Sequence, residues 1–270
     1  MDDVRGGDAA GFPQPPRRSS LGRPTPARGP GPPDDRAADR PAGGGEPTSS
    51  TAALYDRRRN VHYTRPLLRG LLHLVWFEAS LVAGTLLVVA ARGSRQVVGV
   101  AVYVGCLSGM LGVSALYHRG RWSRVASGVL QRVDHVMIFL LIAGTATPIF
   151  LVAAPGTYGL VCLIVLWSVT AVGIGTHLAW MDAPEWLVGG TFIGLGVANA
   201  LALPALWVTA GVAAAVLVIV GGLLYVVGAL AYHRRRPDPV PSVFGYHEVF
   251  HAFVCAAATC HYIAIALLVG

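Results

Sequence analysis

Lysine is absent from all 270 residues, and the 21 basic side chains other than histidine are every one arginine. Alongside the abundance of alanine, glycine and proline, this reads as a mark of a GC-rich coding genome rather than a functional demand for guanidinium. Charge of either sign is scarce: 13% of residues are charged and 54% hydrophobic, where a soluble domain carries about 25% charged residues. An ordinary soluble enzyme is thereby excluded, although length alone would suggest one or two soluble domains. Paired-cysteine motifs are missing as well. Cys106, Cys162, Cys255 and Cys260 lie inside apolar runs at spacings that match no metal or redox pattern. They are expected to be small buried side chains within helices.

The net charge of +7 arises entirely after residue 50, because the first fifty residues hold seven arginines and seven acids. The excess arginines sit in short joints between apolar runs, where they act as topology signals. No nucleic-acid partner is expected.

Residues 1–55 read as a disordered arm. They contain ten of the eighteen prolines and nine glycines, few residues able to build a core, and no apolar run resembling a signal peptide. Residues 56–270 read as a membrane domain. A helix needs about 20 apolar residues to cross a hydrocarbon core of roughly 30 Å. Seven such spans are expected, over about 67–91, 96–117, 133–153, 157–179, 184–203, 206–232 and 246–269. The fold class is therefore an all-α, seven-helix transmembrane bundle, multi-pass in the cell membrane and surrounded by membrane lipids. Gly190, Gly194, Gly196, Gly221 and Gly222 are candidates for close backbone approach between helices.

Arginine placement sets the orientation. Twelve arginines fall on one side of seven crossings: Arg57, Arg58, Arg59, Arg65 and Arg69; Arg119, Arg121, Arg124 and Arg132; and Arg234, Arg235 and Arg236. Only Arg92 and Arg95 fall on the other. Basic residues are retained in the cytoplasm, so the N-terminus is expected inside and the C-terminus outside.

Ionisable residues within spans are costly and usually functional. Here their depths agree. Ser114 and His118 close the second span, Asp134 opens the third and His247 and His251 open the seventh, all from the same side. An i, i+4 pair lies on one helix face, so His247 and His251 can face one ion while His118 adds a third nitrogen. Three protein ligands plus water is the pattern of an open, catalytic zinc site, in which the metal lowers the pKa of its water to about 7. Asp134 could accept a proton from that water or orient it, and Ser114 could hydrogen-bond a ligand or a developing oxyanion.

His-Glu-Val-Phe-His at 247–251 also fits the H-E-x-x-H pattern of zinc proteases, with Glu248 as general base. His177 ends the fourth span at the inner face. His73, Glu78 and His261 are assigned to helix-to-helix hydrogen bonding. His261 is ten residues beyond His251, roughly 15 Å along the helix, and cannot share its site.

The motifs resemble those of the bacterial hemolysin III family: Ser-Ala-Leu-Tyr-His at 114–118, Arg-Val-Asp-His at 132–135, Ala-Gly-Thr-Ala-Thr-Pro at 143–148 and Phe-Gly-Tyr-His-Glu-Val-Phe-His at 244–251. That family is grouped with the progestin and adiponectin receptors and, more distantly, the alkaline ceramidases. The resemblance covers about residues 60–270. It implies seven helices with a cytoplasmic N-terminus, zinc held by His118, His247 and His251, Asp134 bonded to the zinc-bound water, and Ser114 assisting. It also implies hydrolysis of a lipid amide. Glu248 is not carried over, since related branches differ there, and Glu78 departs from the pattern of the first span. Two functions follow as expectations: a zinc-dependent hydrolase of a lipid amide or ester, or a non-enzymatic receptor-like or lytic protein with structural zinc. The intramembrane protease is a third.

Overall fold

The computed structural model describes residues 54–56, 61–63, 66–180 and 184–270. The arm expected over residues 1–55 lies outside the described residues as far as residue 53. A small antiparallel hairpin follows it, with β1 (Leu54–Asp56) paired to β2 (Val61–Tyr63) so that Leu54 faces Tyr63. From there on the named elements are helical. They are α1 (Leu71–Ala90), α2 (Gly93–Arg119), α3 (Arg124–Pro148), α4 (Thr157–Ala179), α5 (Glu185–Ala198), α6 (Leu203–Arg234) and α7 (Tyr246–Val269).

Local chemistry explains where four of the helices start. Gly70, at φ 73°, turns the chain into α1 in a conformation that side chains other than glycine rarely adopt. Ser123 starts α3 by accepting a hydrogen bond from the Ala126 amide at 3.2 Å. Pro204 stands in the first turn of α6, where its missing N–H is no loss. At the start of α7, Glu248 reaches back to accept from the Gly245 amide at 2.9 Å, which is one half of a capping box. The expected third span began at residue 133, but α3 begins at Arg124. Hydropathy marks where a helix meets lipid, and the Ser123 cap starts this one nine residues earlier.

Among the described residues, six helical segments are long and apolar enough to cross a membrane: Leu71–Ala90, Gly93–Arg119, Arg124–Ala153, Thr157–Ala179, Leu187–Arg234 and Tyr246–Val269. The third includes a turn of π-helix, Ile149–Ala153, that continues α3 past Pro148. The fifth joins α5 to α6 through a 3₁₀ turn, Asn199–Ala202, and leaves helical geometry again at Gly211, φ 84°. Residues expected to form two spans thus follow each other with no intervening loop.

The most extensive packing is between α6 and α7 and between α2 and α3, followed by α1 with α2, while α4 and α5 are attached more thinly. Tyr103, Leu111, Phe139, Phe150, Leu206 and Ile265 are fully buried where α2, α3, the π-turn, α6 and α7 meet. Many outward side chains are apolar, among them Val82, Leu86, Ile164, Val172, Val216 and Leu223. Water offers no reason for that arrangement, and lipid does. The chain is a multi-pass membrane protein.

Of the glycines expected at close helix contacts, only Gly221 is at one: a Cβ there would lie 2.5 Å from the His261 ring. Gly190, Gly194, Gly196 and Gly222 have nothing within 4 Å of that position. The first three lie on α5, which is thinly packed. Comparable approaches occur at Gly84, against Val104, and at Gly99, against Pro148. All four cysteines are free and helical, Cys255 buried and the others partly so.

Candidate metal centre

Three histidines from two helices meet near one end of the bundle. His118 lies in the last turn of α2, and His247 and His251 lie one turn apart at the start of α7. One ring nitrogen from each falls within 4.8 Å of the others. The Nε2 atoms of His118 and His247 are 3.2 Å apart. Two nitrogens bound to one zinc at 2.0–2.1 Å in a tetrahedron would lie about 3.3 Å apart. His251 Nδ1 is buried with no hydrogen-bond partner. Three imidazoles drawn this close, with a nitrogen left unsatisfied, fit a borderline-soft cation such as zinc.

Asp134 comes from the third turn of the neighbouring α3. Its Oδ2 lies 3.9 Å from His118 Nε2, and the Ser114 hydroxyl, one turn before His118 on α2, lies within hydrogen-bonding reach of its carboxylate. All five residues singled out from the sequence therefore converge. Ser114, His118 and His251 are buried, and Asp134 and His247 partly so.

Two neighbours were not foreseen. His73, expected to hydrogen-bond between helices, instead stacks on His251 with ring centroids 3.8 Å apart and planes inclined by 14°. Both its ring nitrogens are buried without a partner. Its position three residues after Gly70, at the same depth as His118, was the available signal. The second is Arg69, read as one topology arginine among twelve. Its Nε donates to Glu248 Oε1 in an ion pair in which Arg69 is 13% exposed and Glu248 only 1%. Glu248 Oε2 accepts from Gly245, so both carboxylate oxygens are engaged and neither is free to serve as a base.

The other polar residues separate clearly. His261 Nε2 is 3.2 Å from the Val218 carbonyl on α6, the interhelical bond expected of it. His177 packs against His135, which follows Asp134, with ring centroids 5.2 Å apart. Among the described residues Glu78 has no helix-to-helix hydrogen bond, and it lies exposed on α1. The buried face of α1 carries His73, Ser80, Gly84 and Leu87. At 100° per residue, Glu78 points about 160° away from Ser80.

A family model described as "Haemolysin-III related" matches residues 61–262. Over 137 residues the chain is 28% identical to a protein of Bacillus subtilis (strain 168) named "Hemolysin-3 homolog", covering 51% of this chain and 62% of that one. Over 169 residues it is 29% identical to "Heptahelical transmembrane protein ADIPOR2" of Oryza sativa subsp. japonica, covering 55% of this chain and 71% of that one. The chain thus spans about three fifths of the Bacillus relative's length. No solved structure matches.

Proposed function

The chain belongs to the haemolysin-III related family, and from that premise we propose that His118, His247 and His251 hold a zinc ion for hydrolysis of a lipid amide or ester. The observation that carries this reading is the convergence of three ring nitrogens with one carboxylate, Asp134, that is beside the cluster and not part of it. Closed structural zinc sites normally use four protein ligands, whereas three leave a position for water and substrate. When bound, zinc supplies a Lewis acid and lowers the pKa of water to about 7. Asp134 takes a proton from the attacking water at its carboxylate and returns it to the departing nitrogen or oxygen. Ser114 keeps that carboxylate turned toward the reacting atoms. The apolar flanks of the bundle favour a substrate that arrives from the bilayer.

Seven crossings with a cytoplasmic N-terminus are part of the same proposal. Leu187–Arg234 holds 48 residues, which would extend roughly 72 Å as one straight helix, more than twice a hydrocarbon core of roughly 30 Å. The interruptions at Asn199–Ala202 and Gly211 give it places to turn back. In support, the Tyr158 hydroxyl at the start of α4 donates to the Leu201 carbonyl at 3.0 Å, and the Thr209 hydroxyl to the Ala153 carbonyl at 3.3 Å. These contacts keep the α5–α6 junction beside the α3–α4 junction. A reporter after Gly270 should then be extracytoplasmic and one within residues 235–243 cytoplasmic, in the plasma membrane. Both on one side would overturn the count.

A receptor-like protein with structural zinc is the second reading. It is favoured by the depth of the cluster, with His251 2% and His118 8% exposed. The protease reading is disfavoured because both oxygens of Glu248 are occupied. The deciding assay is zinc-loaded protein against a panel of lipid amides and esters. Asp134→Asn should keep its zinc and lose about a hundredfold or more in rate, the scale of a positioned acid–base group. Zinc retained with no turnover by the unaltered protein would establish the structural reading.

A further inference from the structure

We propose that Arg69 is a positioning residue for the metal centre, acting through Glu248 to set the first turn of α7 against α2; this rests on the zinc reading above. The segment of residues 66–70, just before α1, lies between the two helices that carry the three histidines. On one side it touches α2: a Cβ on Gly70 would meet His118 Cβ at 2.8 Å, so the backbone presses directly against the helix turn that presents His118. On the other it is tied to the loop before α7. The Leu67 amide donates to the Ser242 carbonyl at 3.0 Å and the Leu68 amide to the Val243 carbonyl at 3.1 Å. Arg69 completes this tie by pairing with Glu248, the residue between the two α7 ligands.

The placement of Glu248 makes the tie consequential. Its other oxygen holds the Gly245 amide, so one carboxylate fixes the α7 start to its own cap and to the segment before α1. His247 is its neighbour in sequence, and His251 is three residues on, in the same turn. A rotation of that turn that released Glu248 would swing both imidazoles away from His118. Breaking one side of a buried ion pair also leaves its partner charged and unpaired, which favours such a rotation. Arg69 pairs with Glu248 rather than with a histidine, and although its charge also acts on His247 and His251 through space, a positioning effect shows as altered ligand geometry.

The test uses full-length purified protein loaded with zinc, and in parallel with cobalt, whose visible absorption reports coordination geometry. Arg69→Met should weaken zinc, measured by chelator competition, by roughly ten- to a hundredfold, as is usual for groups that orient ligands. It should also change the cobalt spectrum. Arg69→Lys, which keeps the charge, should restore much of both. Glu248→Gln, which keeps an oxygen for the Gly245 amide, covers the case in which Arg69→Met fails to fold, and should weaken metal similarly.

Hydrogen exchange at the Leu67 and Leu68 amides in metal-free protein gives a readout independent of zinc, because the tie should protect them and Arg69→Met should expose them. Slow exchange in unaltered protein that is lost in Arg69→Met, with no metal bound by either, would overturn the zinc reading and leave the tie in place. Unchanged zinc affinity, cobalt spectrum and exchange in both Arg69→Met and Glu248→Gln would overturn the positioning role.

Discussion

The half of the bundle around α1, α2, α3 and α7 and the half around α4 and α5 are held together differently. In the first, polar side chains reach from helix to helix. Ser80 and Ser108 share a hydrogen bond at 2.8 Å, Trp76 donates to Thr259 at 3.1 Å, and Arg69 pairs with Glu248 beside the histidine cluster. In the second, ties between helices are fewer, with Tyr158 donating to the Leu201 carbonyl and Trp167 to Thr147, and threonines turn back on their own helices. Thr176 donates to the Val172 carbonyl and Thr191 to the Leu187 carbonyl, and four glycines of α5 have nothing near their Cβ positions. In lipid an apolar contact between helices is little better than one with an acyl chain, so shape and polar contacts must fix the geometry. A metal centre needs its groups held to within about 0.5 Å. It stands in the half where such contacts are more numerous.

The contrast is broken most severely by removing a ligand. His247→Ala or His251→Ala should reduce zinc from about one per chain to background, because two imidazoles make a much weaker site. Thermal unfolding should fall by several degrees as well, since the ion links α2 to α7 and its binding energy contributes to folding. On the other side of the comparison, Thr176→Ala on α4 should leave zinc unchanged and stability within about 0.5 kcal/mol. Metal analysis and a melting curve for the variants test both halves. A comparable loss in Thr176→Ala would show that α4 is coupled to the site after all.

A middle-sized effect comes from glycines. Gly221→Val places atoms where the His261 ring is 2.5 Å away and the Ala257 carbonyl 3.1 Å away. Overpacking of that kind costs about 1–3 kcal/mol. Gly190→Val on α5 meets nothing within 4 Å and should be neutral or slightly stabilising, since glycine itself is unfavourable within a helix by roughly 0.5–1 kcal/mol. Equal losses in the two variants would mean that α5 packs more tightly than its surroundings indicate.

The sequence made some of this legible and not the rest, for physical reasons. Hydropathy locates helices because crossing lipid demands a minimum apolar length, but it missed the first nine residues of α3, which a cap begins, and it marked two spans where α5 and α6 run together. The i, i+4 spacing of His247 and His251 and the shared depth of His118, Asp134 and Ser114 led to the cluster, because helix geometry converts spacing into position. Contacts between residues far apart in sequence were not legible. Arg69 and Glu248 are 179 positions apart, and an arginine needed for topology looks the same as one that also pairs. The small-residue rule failed on α5 for a related reason: glycine permits close approach, but only the packing of neighbours decides whether it occurs.

The smallest expected effect sharpens the comparison along α7 itself. His261 is partly buried, like His247, and its ring contacts Tyr225 at 5.5 Å between centroids, so it resembles the cluster histidines in much but depth and partner. Its Nε2 is engaged with the Val218 carbonyl at 3.2 Å. His261→Phe keeps an aromatic ring of similar size against Gly221 and removes the ring nitrogens. An interhelical hydrogen bond in a membrane averages about 0.6 kcal/mol, which for a chain of this size is a loss of about 1–2 °C in Tm. Zinc content should be unchanged, because ten residues of helix put His261 roughly 15 Å beyond His251. The pairing of a small stability loss with intact metal is specific to a histidine that only joins two helices. Zinc lost here as fully as in His251→Ala would mean that the metal-binding geometry extends along α7 to the depth of His261, and that the two ends of this helix are not separate in function.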